Sequence, residues 1–160
     1  MEIRKLRDDD LEDWLALREL LWPDFERDEL AREQAEILAD SQRNCVWVAA
    51  SLTGELLGFV EVSLRDWAEG CSSMPVGYIE AWYVKPAYRR TGIGHRLIEA
   101  AEHWAFSRGC SEMGSDAELW NDISHKAHAA VGYTEVLRLV LFSKRLDGAV
   151  LRSDLANEPP

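Results

Sequence analysis

The chain has 160 residues, 47% of them hydrophobic, and a formal net charge of −11. That length is most simply one domain with a real core. No apolar run is long enough to cross a membrane, Met1-Glu2-Ile3-Arg4-Lys5 lacks a signal-peptide core, and the acidic balance disfavours nucleic acid.

Met1 to Leu6 reads as a first strand. Asp9-x-x-Glu12 resembles a capping box, and Leu11, Trp14, Leu15, Leu21 and Trp22 mark the helical stripe that follows, up to Pro23. Trp22 at its end is either a core residue or a flat wall for a sugar ring at a cleft mouth. Asp24 to Asp40 is a second helix with Leu30, Ile37 and Leu38 on its apolar side. It carries seven acidic residues against Arg27 and Arg32 only, a solvated face or a rim that steers cations. Cys45–Ser51 and Leu56–Arg65 read as two strands around the turn Thr53-Gly54-Glu55, and Asp66–Pro75 as a polar loop containing Trp67.

Val76 to Val84 is apolar on both faces, as in a central strand. Its alternation puts Tyr78, Glu80 and Trp82 on one face. Ile93, Leu97, Ala101 and Trp104 then fall at helical spacing, and Gly109 stands where a C-terminal cap belongs. Glu112–Ser115 is a short parallel strand and Asn121–Val131 a last helix. Gly132-Tyr133 opens closing strand material through Arg145, as one strand or two. Asp147–Pro160 reads as a loosely held tail, which leaves residues 1–146 as the domain. Cys45, Cys71 and Cys110 lack C-x-x-C spacing, which fits free thiols in a reducing cytoplasm rather than disulfides or a zinc site.

Three features carry chemistry. In Arg89-Arg90-Thr91-Gly92-Ile93-Gly94 the glycines allow a tight turn and close approach of backbone to ligand. The free amides of the helix start favour an anion. A plain strand-to-helix turn is the alternative reading. Glu80 is the one carboxylate in its apolar strand, so it needs a cationic or hydrogen-bonding partner; an internal salt bridge to an arginine is its alternative reading. Asp116 follows the strand near Glu112, at the end where ligands gather in parallel sheets; capping a turn is its alternative. Asn121, His125 and His128 share one helical face. Two histidines without a fitting carboxylate argue against a metal, and none is expected.

Arg89-x-x-Gly92-x-Gly94, with the lead-in Tyr83-Val84-Lys85-Pro86, resembles the signature of the GNAT superfamily of N-acetyltransferases. That resemblance implies an α/β (α+β) fold, with a mixed central sheet flanked by helices and splayed at the cofactor strand. It implies acetyl-coenzyme A as co-substrate, held by Trp82, Tyr83, Val84, Arg89, Arg90, Thr91, Gly92, Ile93, Gly94 and Asn121. Backbone amides near Ala81–Tyr83 would meet the oxyanion. Where relatives carry a tyrosine four residues before a Gly-Phe pair, this chain has His128 before Gly132-Tyr133. His128 would therefore take the place of the acid for the departing thiolate; a plain surface or partly buried histidine is its alternative reading, with solvent as the other proton source.

Asp13-Trp14-Leu15-x-Leu17-Arg18, Pro75-Val76-Gly77-Tyr78-Ile79-Glu80, Ser115-Asp116-Ala117, Ile123-Ser124-His125 and Phe142-Ser143-Lys144 are similar to the bacterial aminoglycoside 6'-N-acetyltransferases. That narrower resemblance implies a cationic aminoglycoside bound by Trp22, Asp66, Trp67, Glu80 and Asp116, with Glu80 as base beside Asp116. It also implies a homodimer of a bacterial protein. No cysteine lies within the motifs, so direct transfer in a ternary complex is expected rather than a covalent acetyl-enzyme. The cysteines, charge and hydropathy above put it in the cytoplasm with neither nucleic acid nor membrane as partner. Two rivals stand beside it. One is the same fold acting on a polyamine or a protein N-terminus; the other is a non-catalytic acidic domain that binds a basic partner.

Overall fold

The structure is a computed structural model that describes residues 1–145. The expected tail, residues 147–160, lies outside the described residues. Strands β1 (Glu2–Lys5), β2 (Asn44–Ala50), β3 (Leu56–Arg65), β4 (Val76–Val84) and β5 (Met113–Ser115) form one sheet in sequence order. The first four pair antiparallel and β5 joins β4 in parallel, so the sheet is mixed.

Helices cover both faces because the strands are apolar on both. Along β2, Val46 and Val48 face α1 (Leu11–Leu21) and α2 (Arg27–Ala39), where they meet Trp14, Leu17 and Phe59. The alternate residues Cys45, Trp47 and Ala49 face α3 (Ile93–Ser107), against Leu97, Ile98, Ala101 and Trp104. Trp14, Val48, Phe59 and Leu97 are wholly buried. Each contributes about 1.5–3 kcal/mol over an exposed side chain. Gly109 ends the α3 region with φ +89°, as its capping position requires. The short helix α4 (Asp122–Ala130) follows β5, and Val131 and Tyr133 beyond it pack on the α3 cluster.

Two local expectations change. The reciprocal contact at the first helix is made by Asp10, which accepts from the Arg7 amide at 2.8 Å and from Arg4 at 2.6 and 2.8 Å. Asp8–Asp10 is a 3-10 turn, and α1 begins only at Leu11. The expected closing strand is absent among the described residues: nothing regular follows Ala130 up to Arg145. A strand needs a neighbour to satisfy its backbone groups. The run Val136–Phe142 finds none here and leaves Val140, Leu141 and Phe142 at 72%, 89% and 92% exposure.

Candidate active site

The site begins with an irregularity in β4. Glu61 pairs with Ala81 and Val62 with Ile79, so Glu80 is an extra residue without a partner on β3. Such a bulge shifts the pleat by one residue. Tyr78 and Glu80 therefore stay on the α1 side, next to Ser63 and Arg65 of β3. Trp82 turns to the other face and packs with the α3 cluster. The expected shared face of Glu80 and Trp82 is thus corrected, since strict alternation does not survive the bulge.

Glu80 has the partner that its setting demanded. Arg65 donates from Nε to Oε1 at 2.9 Å and from Nη2 to Oε2 at 2.7 Å, and Ser63 Oγ donates to Oε1 at 2.5 Å. The Arg65 guanidinium lies 3.4 Å from the centre of the Tyr78 ring. Tyr78 Oη in turn donates to Asp116 Oδ1 at 2.6 Å. Burial, reinforced by that bond, pushes the Tyr78 phenol far above its usual range, so it remains a donor. Glu80 and Asp116 become the two ends of one chain of contacts. With two carboxylates and one guanidinium, the cluster carries a net negative charge. It opens to solvent, since the Glu80 side chain is 34% exposed.

The remaining substrate-side residues are placed differently. Asp66 is paired with Arg43 at 3.0 Å rather than with this cluster, and Trp67 is 69% exposed. Trp22 ends α1, half-buried, with the Arg18 guanidinium 5.0 Å from its ring.

A groove opens beside the cluster. β5 pairs with β4 only from Gly77 to Ile79; from Glu80 to Val84, β4 has β3 alone as a neighbour among the described strands. The divergence leaves the Trp82–Val84 backbone facing a gap that leads toward the start of α3. There Arg90 and Gly92 have φ of 61° and 85°, and no side chain caps the first turn. Alternating left-handed residues turn successive amides inward as a nest for an anion. Arg89 Nε is held by the Val84 carbonyl at 2.9 Å and Thr91 Oγ1 by the Tyr88 carbonyl at 2.6 Å, which stiffens the loop. Gly94 has a further reason that the sequence did not disclose: a Cβ there would lie 2.8 Å from Trp82 Cζ2. These features fit a ligand with a peptide-like arm and a pyrophosphate.

His128 is pinned. A carbonyl can only accept, so Nδ1 donates to Ser124 O at 2.8 Å, while Nε2 is hydrogen-bonded with Ser115 Oγ at 2.8 Å. The ring stands edge-on to Trp82 and Tyr133. Asn121 Oδ1 caps α4 by accepting from the Ser124 amide at 3.0 Å. Among the described residues no three His, Cys, Asp or Glu side chains converge as a metal site. Sequence reading missed Arg65 and Ser63, although period-two spacing put both on the face of β3 that meets Glu80.

Residues 14–133 match the family model described as the acetyltransferase (GNAT) family. The chain belongs to this family. Two relatives of this GNAT chain are named aminoglycoside N(6')-acetyltransferase type 1. The one from Klebsiella aerogenes is 44% identical over 146 residues, covering 90% of this chain and 96% of its own. The one from Serratia marcescens is 41% identical, covering 86% and 94%. Among solved structures, the apo aminoglycoside 6'-N-acetyltransferase AAC(6')-IG from Acinetobacter haemolyticus superposes with a TM-score of 0.86. It is 36% identical and covers 92% of this chain and 100% of its own. AAC(6')-Iy in complex with the bisubstrate analogue CoA-S-monomethyl-acetylneamine gives 0.85 at 35% identity, covering 91% and 98%. The five-stranded mixed sheet with helices on both faces is the fold of this family, as the sequence led us to expect.

Proposed function

We propose that this chain transfers the acetyl group of acetyl-coenzyme A to the 6'-amine of an aminoglycoside, within a ternary complex. The observation that carries the reading is the Glu80–Arg65–Tyr78–Asp116 chain, an anionic cluster at the mouth of the β4/β5 gap. The relatives named as 6'-N-acetyltransferases support the acceptor assignment.

The co-substrate supplies the activated thioester. The Trp82–Val84 backbone edge orients its pantetheine arm, and the amides of Arg90–Gly94 hold its pyrophosphate. Glu80 and Asp116 bind ammonium groups of the acceptor, with Trp22 and Trp67 as apolar walls. Asp66, tied to Arg43, shapes the loop beside Trp67. An amine protonated in solution loses a proton to Glu80 through water, and its nitrogen attacks the acyl carbon. The new N–C bond forms as the C–S bond breaks, and β4 amides near Ala81 receive the oxyanion. The thiolate takes its proton from water at the open groove. His128, with both ring nitrogens engaged, holds Trp82 and Ser115 in place instead of acting as that acid.

The same reading puts the chain in the bacterial cytoplasm as one acetyltransferase domain. Its three cysteines are free thiols, and the net charge of −11 repels nucleic acid. No helix among the described residues is long and apolar enough to cross a membrane. A second copy is the natural cover for the apolar run Val136–Phe142, which supports a homodimer.

Steady-state thiol release from acetyl-coenzyme A tests the proposal. Kanamycin and tobramycin serve as acceptors, beside a 6'-hydroxyl analogue, spermidine and a peptide with a free N-terminus. Turnover confined to the 6'-amines is expected. Turnover only with spermidine or peptide, or with no acceptor, overturns the aminoglycoside assignment.

A further inference from the structure

Beneath Glu80 lies a second ion pair that the acetyl-transfer reading does not use. Glu61 stands opposite Ala81, next to the bulge, and is 3% exposed; Arg18 on α1 is 2% exposed. Trp14 Nε1 donates to Glu61 Oε1 at 3.0 Å, and Arg18 Nε lies 3.4 Å from the same oxygen. Arg18 also donates to the Leu30 carbonyl at 3.3 Å and to Glu33 Oε2 at 2.7 Å. Its guanidinium is 5.7 Å from the Trp14 ring and 5.0 Å from the Trp22 ring. One arginine thus joins β3, α1, α2 and the tryptophan that ends α1.

A buried ion pair is a poor stabiliser, because removing two charges from water costs about as much as their attraction returns. What it supplies here is geometry. Arg18 has neighbours on β3, α1, α2 and the end of α1, so it ties α1 and α2 to one docking arrangement on the sheet. That arrangement sets Trp22 and the acidic α2 relative to Glu80. We infer that Glu61 and Arg18 are positioning residues for the cationic acceptor, holding Trp22 and α2 in register with Glu80 while leaving the acetyl-coenzyme A groove unaffected. This rests on the aminoglycoside reading above.

The charges around Glu61 give the idea a second handle. Burial pushes its carboxyl up to about 7, against the pull of Arg18 and Trp14, while Glu33 on α2 and Glu80 on β4 push it further up. A cation bound at Glu80 offsets one of those negative charges and favours the ionised form of Glu61. Acceptor binding therefore expels a proton from Glu61, and acceptor affinity weakens as pH falls below about 7.

The test compares wild type with Glu61→Gln and with Glu33→Gln, the latter at the solvent-facing end of the network. kcat and both KM values are measured with kanamycin across the range around neutral pH. Glu61→Gln is expected to raise the kanamycin KM about tenfold, to leave kcat and the acetyl-coenzyme A KM nearly unchanged, and to flatten the rise of kanamycin KM in acid. Glu33→Gln is expected to give a smaller rise of the same kind. Parallel rises in both KM values would show a merely structural role and overturn the proposal. So would an unchanged kanamycin KM in both variants of an active enzyme. Absence of wild-type turnover with any aminoglycoside would instead overturn the acceptor reading, and this proposal with it.

Discussion

Glu80 owes its position to one unpaired residue in β4, and its orientation to Arg65 and Ser63. With both oxygens engaged it is a directed acceptor for one further proton, and Glu80→Gln removes that capacity. kcat with kanamycin is expected to fall about a hundredfold in steady-state thiol release. Tyr78→Phe deletes the donor that orients Asp116 and leaves the ring for Arg65 to stack on. kcat/KM for the acceptor is expected to drop about tenfold, with the acetyl-coenzyme A KM unchanged. A stability prediction belongs at this scale as well. The Arg4 guanidinium holds the Asp10 carboxyl below its ordinary value of 3.8. A depressed acid stabilises the fold above its unfolded pKa, and the benefit disappears as pH falls through the folded value. Asp10→Asn is therefore expected to lose about 2 kcal/mol in urea unfolding at neutral pH, with the gap to wild type closing in acid.

At the scale of elements, the helix start at Gly92 has two separate requirements. Gly92 needs its positive φ of 85°, whereas Gly94 needs the absence of a side chain, because Trp82 stands against it. The Arg89-x-x-Gly92-x-Gly94 spacing was plain in the sequence, but the second reason was not, since Trp82 reaches α3 only through the bulge. Gly94→Val is expected to cost about 1–3 kcal/mol of stability. It should also raise the acetyl-coenzyme A KM more than the acceptor KM, because the displaced segment is the pyrophosphate loop. Denaturation and two-substrate kinetics check both parts. The strands and helices up to Ala130 were legible from period two and period 3.6, with boundaries shifted by up to three residues, as where α2 begins at Arg27 instead of Asp24. The run after Gly132 was misjudged because Val, Leu and Phe report a liking for a sheet, not whether the run pairs with one.

For the whole molecule, that run carries the proposal of a homodimer. Val140, Leu141 and Phe142 stand almost fully in water, beyond what a lone acidic domain needs for solubility. The wild type is expected to elute as a dimer in size-exclusion chromatography with light scattering. Leu141→Asp combined with Phe142→Asp is expected to elute as a monomer. A wild type that stays monomeric at every concentration would remove the dimer from the proposal. The charge distribution acts at the same scale. Several acids of α1 and α2 are already paired, Glu12 and Glu19 with Arg27 and Glu33 with Arg18. The net charge of −11 already counts those arginines, so the pairing redistributes the field offered to a cation rather than reducing it.

By itself the sequence determined the elements up to Ala130, the glycine loop before α3, the central place of β4 and the two carboxylates worth watching. Each of these is written in local spacing, which a pleat or a helix turn converts directly into a face. Tertiary structure alone decided the bulge at Glu80, the opposite facing of Trp82, the Arg65–Tyr78 bridge to Asp116 and the buried Glu61–Arg18 pair. These depend on pairing between residues 13 to 47 positions apart. In a sheet, a register shift of a single residue exchanges the two faces, so no local pattern specifies such contacts.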